Sequence, residues 1–382
     1  MNDKNGLTAD MRQYIENTGT ELEDLIEALC AIPAPSHHEE ARADFCKRWF
    51  ENNGMSAEID SALNVICPVG DDGKCDLVVF TAHTDTVFPD LTPLPFKKDD
   101  ECIYSPSAGD DTACLAIMML CARYIVNNRL KPRMGIIFVA NSCEEGLGNL
   151  KGIRKVMSRY GARVREMYSF DSKYSALVNR CVGSHRYEIS VHTRGGHSFS
   201  NFGNDNAIHI ASMLISELYK ATVPHEDNSI TTYNVGIIEG GTSINTIAQS
   251  CSFKYEYRSD NVKCLSLMRD YFFGVISDFS KKYTIDVNLL GERPCMDNVD
   301  IKKLDEMTEY CKDLQEKHSG VKCSVCSGST DCNIPMSMGI PALAVGVFDG
   351  DGEHTHEEYI VRSSLPKGMA IALELISSFT QQ

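Results

Sequence analysis

His83, Asp110, Glu145, Asp171 and His354 are side chains of the kinds that bind divalent metals, and each stands just beyond an apolar run or at the mouth of a helix. LVVFTA ends in His83-Thr84-Asp85, and Gly109-Asp110-Asp111-Thr112 opens a helical stretch. MGIIFVA runs into Asn141-Ser142-Cys143-Glu144-Glu145, MYSF into Asp171, and PALAVGV into the loop Gly350-Asp351-Gly352-Glu353-His354. Taken singly, each has a bland reading: a solvated carboxylate, a helix cap or an idle loop histidine. Their joint placement after successive strands is the signal.

Coordination arithmetic favours two metals. Zinc takes four ligands, and a catalytic zinc keeps one position for water. If Asp110 bridges, His83 and Asp171 complete one ion, Glu145 and His354 complete the other, and a shared hydroxide supplies the fourth position of each. Two neutral histidines, three carboxylates and one hydroxide then carry the charge that balances two Zn²⁺. Positions 83 and 85 of a continuing strand point the same way, so Asp85 can orient the His83 ring. Glu144 is left over beside a ligand and faces away from Glu145. A free carboxylate there can take a proton from the water and return it to a leaving amine, which is general-base chemistry. The arrangement requires the His83 imidazole and the Glu145 carboxylate to lie within about 10 Å of each other.

The elements that position these residues read as alternating strands and helices. Helices are expected over Leu22–Ala31 and Glu39–Asn53, with Ile32-Pro33-Ala34-Pro35 breaking the pattern between them. Strand Leu77–Ala82, helix Thr112–Val126, strand Met134–Ala140, helix Lys151–Tyr160 and strand Met167–Phe170 follow. This alternation implies a mostly parallel sheet flanked by helices, with its catalytic crevice beyond the carboxyl ends of the strands.

The texture changes near Val178. Alternating runs at His185–Thr193, Ser229–Ile238, Ala248–Tyr257 and Thr284–Leu290, with helices at Ala207–Tyr219 and Val262–Lys282, suit a small two-layer α+β domain. The α/β texture returns after Val299 with helix Lys302–Lys317 and strand Pro341–Val347. Residues 181–293 therefore read as an insertion into a large domain built from 1–180 and 294–382. A chain of 382 residues exceeds the usual single-core size of about 250 to 300, which agrees with two domains.

A net charge of −16 argues against nucleic acid as a partner. No apolar run approaches the roughly 20 residues of a membrane span. Met1–Asp10 lacks the parts of a secretory signal, and the 16 cysteines are scattered within apolar patterns, so a cytoplasmic protein with reduced thiols is expected. Cys323 and Cys326 form a CxxC without a second pair, which is weak evidence for a metal. Cys143 reads as a buried thiol.

The motifs HTDTVFPD at 83–90, AGDDTA at 108–113, SCEEGLGNLKG at 142–152, FDS at 170–172 and HTHEEYI at 354–360 resemble the M20 family of metallopeptidases and amidohydrolases, in a peptidase T-like form, over nearly the whole chain. The resemblance implies a zinc-peptidase-like catalytic domain with an inserted lid that pairs two subunits. It implies the ligand set given above, Asp85 behind the ligands, Glu144 as catalytic base and a cis peptide between Asp110 and Asp111. It favours His354 over His356 because Glu358 follows four residues later. RGGHSFSNFGNDNAI at 194–208 resembles the family's lid motif, whose histidine, here His197, reaches across the dimer to polarise the scissile carbonyl. Asn245, Arg258, Ser329 and Thr330 fall where the family binds substrate, and an arginine fork suits a terminal carboxylate. Ser327 stands where peptidase T proper has an arginine, so a tripeptide carboxylate would have to be recognised by another route.

The expectation is a metal-dependent hydrolase of short peptides using two Zn²⁺, or Mn²⁺ or Co²⁺, which the same ligands accept. Asp171 points to an enzyme acting from the amino end, because relatives of that kind tend to have Asp there. The alternatives are an N-acyl amino acid amidohydrolase or carboxypeptidase with the same metals, and a silent binding or scaffold protein, which predicts loss of a ligand or of the base.

Overall fold

A computed structural model describes residues 6–226 and 228–381. The opening residues, on which part of the cytoplasmic expectation rests, lie partly outside them. Contacts divide the chain into two compact units, Met1–Arg180 with Asn298–Gln382, and Cys181–Asp297.

The first unit is built on an eight-stranded sheet. Its order is Glu58–Ile59, Val65–Val69, Gly135–Asn141, Leu77–His83, Val164–Phe170, Ala342–Val345, Ala176–Cys181, Ser324–Gly328. The four central strands run parallel, while Val65–Val69 and Ala176–Cys181 pair antiparallel to their neighbours. Every residue of Leu77–His83 and Gly135–Asn141 is buried, as expected for strands covered on both faces. The helix Cys114–Asn127 is apolar nearly all round and lies against these strands and the helices Ala9–Cys30 and Leu365–Ser377.

Parallel register is what gathers the site. His83 lies opposite Asn141, Thr81 opposite Ser169 and Phe170 opposite Val345. The segments after His83, Asn141 and Phe170 therefore leave the sheet at one edge.

The second unit is a four-stranded antiparallel sheet, in the order Thr231–Gly240, Ser250–Ser259, Gly183–His192, Thr284–Arg293, with helices Ala207–Leu218 and Val262–Ser280. Strand Ser250–Ser259 alternates buried and half-buried residues, and its buried face joins the helices. Phe272 is fully buried and stacks on Tyr187 with ring centroids 4.5 Å apart. A two-stranded ladder joins Gly196–His197 to Thr246–Ile247.

Several boundaries differ from the sequence reading. The first helix starts at Ala9 rather than Leu22, because the Thr8 hydroxyl accepts the Met11 N–H and Met11, Ile15 and Thr18 continue the buried stripe through a polar stretch. The helix expected from Thr112 begins at Cys114, after one wide turn over Ala108–Ala113. Of the eight-stranded sheet, four strands were not expected, Glu58–Ile59, Val65–Val69, Ala176–Cys181 and Ser324–Gly328, all short or polar. Among the described residues no helix is long and apolar enough to cross a membrane.

Phe272→Ala should lower stability by about 3–5 kcal/mol, because the ring leaves a cavity between sheet and helix. Leu91→Ala, at a 70% exposed position, should stay within about 0.5 kcal/mol. Denaturant titrations measure both, and equal midpoints for the two variants would contradict this packing.

Candidate metal centre

Asp110 lies at the middle of the cluster. Its Oδ1 is 2.9 Å from His83 Nε2, and its Oδ2 is 3.0 Å from His354 Nε2. His354 Nε2 is also 3.3 Å from Glu145 Oε1. Ligand atoms of His83, Asp110 and Glu145 all lie within 4.8 Å of one another, and so do those of His83, Asp111 and Asp171. The carboxylate of Glu145 is therefore well inside the separation that the sequence reading requires. His356 does not share this place; its ring packs near Phe88, with centroids 5.0 Å apart.

Two carboxylates hold the cluster in shape. Asp85 is fully buried: its Oδ1 accepts the Glu144 N–H and its Oδ2 the Glu145 N–H, both at 2.9 Å. Its backbone carbonyl lies 3.0 Å from His83 Nδ1, and its Oδ2 accepts the Ser36 hydroxyl at 2.7 Å. One residue thus fixes the His83 ring through its carbonyl and the Glu144-Glu145 pair through its side chain. Cys143, at φ 56°, turns the chain into that pair, and Glu145 is extended. Glu144 itself is buried.

Glu358 does the same for the Asp110 turn. Its Oε2 accepts the Ser107 N–H at 2.6 Å, and its Oε1 accepts those of Gly109 and Asp110 at 2.8 and 2.9 Å. Gly109 allows this approach, since a Cβ there would stand 2.5 Å from the Phe348 ring and 3.1 Å from Glu358 Oε1. The peptide bond between Asp110 and Asp111 is cis.

The buried charges of the cluster act strongly on one another. Burial and the charge of Asp110, opposed by His83, push Asp171 up to about 7. Burial likewise pushes Asp111 well above the usual carboxylate range. Its contact with Asp110, then that with Glu145, pushes His354 up to about 11. Burial would depress His83, but the charge of Asp111 and hydrogen bonds to Asp110 and Asp85 outweigh it and raise it well above the ordinary imidazole range. Burial opposes ionisation of Asp110, yet its hydrogen bonds to His354 and His83 hold it below the usual carboxylate range. A divalent cation beside these groups would favour their unprotonated forms. Glu145 Oε1, at ion-pair distance from His354 but without hydrogen-bond geometry, and Asp111 Oδ1 are both buried without a hydrogen bond. Orphaned carboxylate oxygens beside two imidazoles form a donor set that fits divalent metal ions.

Asp111, Ser36 and Glu358 carry this geometry without having been singled out as site residues. Asp111 stands beside a candidate ligand and was given no role of its own, yet its Oδ2 accepts the His83 N–H at 2.7 Å. Ser36 sits in a helix-breaking segment with no pattern of its own, so nothing in the sequence signalled it. Cys143 is buried against Glu39, its Sγ 3.1 Å from Oε1, and burial first pushes its thiol up to about 12.

The expected substrate residues are distributed over both units. Thr330 is buried and its hydroxyl accepts the Cys332 N–H at 3.2 Å, while Ser329 is half-buried. The next residue, Asp331, ties this loop to the strand edge by accepting the Asn141 side-chain N–H at 2.7 Å. In the second unit, Arg258 turns its fork onto Glu256, with Nε 3.0 Å from Oε1 and Nη2 3.1 Å from Oε2. Asn245 and His197 are exposed on adjoining turns, where the Asn245 carbonyl accepts the Ser198 N–H at 2.9 Å. Cys323 Sγ meets Gln315 Oε1 at 3.2 Å and Cys326 is exposed; none of the 16 cysteines forms a disulfide.

The sequence profile of peptidase family M20/M25/M40 matches residues 79–378. A succinyl-diaminopimelate desuccinylase of Corynebacterium glutamicum is 24% identical, over 92% of this chain and 95% of its own length. Among solved structures, a tripeptidase from Staphylococcus aureus superposes with a TM-score of 0.74 at 22% identity, covering 95% of this chain and 99% of that one. The aminopeptidase PepT of Bacillus cereus gives 0.72 at 22% identity, covering 94% and 98%.

Loading metal-free protein with Zn²⁺ at pH 7 should release protons. His354, raised to about 11, is protonated there, and a ligating imidazole nitrogen must be bare. Affinity should therefore rise with pH through neutrality, where Asp171 at about 7 also deprotonates. Calorimetry in two buffers of different ionisation enthalpy reads the release; identical heats would contradict it.

Proposed function

The chain belongs to peptidase family M20/M25/M40, and we propose that it hydrolyses the amide bond of short peptides, as a di- or tripeptidase acting from the amino end. The observation that carries this reading is Asp85 holding the N–H groups of both Glu144 and Glu145. That grip fixes a carboxylate beside the metal cluster without making it a ligand.

In this reading His83, Asp110, Glu145, Asp171 and His354 hold two Zn²⁺, with Mn²⁺ or Co²⁺ compatible with the same ligands. When bound, the ions would polarise the scissile carbonyl and lower the pKa of the attacking water. Glu144 takes the proton from that water and hands it to the leaving nitrogen, so the amine departs neutral. His197 donates a hydrogen bond to the carbonyl oxygen as negative charge develops there. Asn245, Arg258, Ser329 and Thr330 orient the substrate; Arg258 would exchange Glu256 for a substrate carboxylate.

The proposed enzyme is a cytoplasmic homodimer paired through the Cys181–Asp297 unit. Supporting this, strand Thr231–Gly240 is an edge of its sheet and leaves Ile237 and Ile238 about half exposed. A long edge with exposed apolar side chains is a hazard unless another chain covers it.

A second reading keeps the metals and Glu144 but takes an N-acyl amino acid as substrate. The likeness to a desuccinylase favours it.

A panel of dipeptides, tripeptides, and N-acetyl and N-succinyl amino acids with metal-loaded protein separates the two. Di- and tripeptides should turn over best, and a preference for the acylated amino acids would replace the first reading with the second. Glu144→Ala should lower kcat by about 100- to 10,000-fold while metal is retained; unchanged turnover would remove Glu144 from its role.

Mixing Glu144→Ala with His197→Ala protein under subunit exchange should restore about a quarter of wild-type activity. Half the dimers are then mixed, and each mixed dimer has one intact site of two. No recovery would mean that His197 does not act across a dimer.

A further inference from the structure

His197 sits in an unusual cage of backbone groups. Its own N–H donates to Asn201 Oδ1 at 2.9 Å, and its carbonyl accepts the Asn201 N–H, also at 2.9 Å. Asn201 therefore holds both main-chain groups of the histidine. The Nδ1 of the ring faces the N–H groups of Phe199 at 3.2 Å and Ser200 at 3.4 Å. A ring nitrogen that accepts has no proton, so the single proton of the neutral imidazole is on Nε2. Among the described residues nothing accepts from that Nε2–H, and the residue is exposed.

The surroundings are shaped for this clamp. Gly196 is at φ 140°, and a Cβ there would stand 2.8 Å from Asn201 Cβ and Oδ1. Only a residue without a side chain lets Asn201 lie so close over the turn. Asn204 Nδ2 donates to the Gly195 carbonyl at 2.7 Å, and Gly196 and His197 pair with Ile247 and Thr246. The turn is thus tied down on both sides, yet the ring edge that carries the free donor is left open.

We infer that Asn201 is a positioning residue: it clamps the 197–201 turn so that His197 is held as the Nε2–H tautomer, with that donor presented to the substrate carbonyl. The inference rests on the proposed role of His197 as carbonyl donor. Asn201 itself touches no substrate and acts through the ring. A donor pre-set in tautomer and direction needs no reorganisation as charge develops, which is where such groups gain their effect.

The test uses the metal-loaded full chain and a peptide substrate chosen from the panel. In protein labelled with ¹⁵N-histidine, a long-range ¹H–¹⁵N spectrum, with the His197 signals assigned by their loss in His197→Ala, should show the pure Nε2–H tautomer. Asn201→Ala should mix the tautomers and lower kcat about tenfold, the scale of one lost hydrogen bond, with KM changed less than about twofold. Asn201→Asp keeps the acceptor oxygen and should restore most of both. In the His197→Ala background, Asn201→Ala should cost nothing further. An equal loss in both backgrounds, or an unchanged tautomer in Asn201→Ala, would overturn the clamp. If His197→Ala leaves kcat intact, the carbonyl-donor role fails, and the spectra alone still decide whether Asn201 sets the tautomer.

Discussion

The structure of the centre depends on crowding carboxylates where they cannot all be ionised without a cation. Asp85, Asp110, Asp111, Glu144, Glu145 and Asp171 converge on one edge of the sheet with His83 and His354 among them. Like charges this close, in a site largely closed to water, oppose one another's ionisation. Burial and the charge of Asp110 lift Asp171, whereas Asp110 stays ionised because two imidazoles donate to it. A divalent ion relieves that conflict at once, and folding without one leaves protons to do so.

Such a cluster survives because the scaffold around it leaves little freedom to relax. Buried parallel strands fix where His83 and Asn141 leave the sheet. Asp85 then binds the Glu144-Glu145 backbone, and Glu358 gathers three N–H groups of the Asp110 turn. Each of these carboxylates holds backbone N–H groups, so each fixes direction. This division of labour is what the proposed roles need: Glu144 as a base, and Glu145, its neighbour, as a metal ligand.

Much of this was legible in the sequence because strand ends in a parallel sheet share an edge, so residues after LVVFTA, MGIIFVA and MYSF had to meet. The insertion was legible because alternation with period two replaces continuous apolar runs near Val178. What stayed hidden follows from contacts with no periodic trace. Ser36 reaches Asp85 across 49 residues, and Asp111 holds the His83 N–H across 28. The strand Val65–Val69 carries a proline and a cysteine, and its pairing is set by its neighbour Gly135–Asn141 rather than by local propensity. Asn201 resembles any turn asparagine until its side chain is seen folded back over Gly196.

The central claim is that these residues form one two-ion site sharing Asp110. Elemental analysis of protein stripped, reloaded with Zn²⁺ and desalted tests it most directly. Wild type should retain two ions per chain, and Asp110→Ala, which takes away the shared ligand, should retain neither firmly. One ion or none in the wild type, or two ions undisturbed in Asp110→Ala, would contradict it.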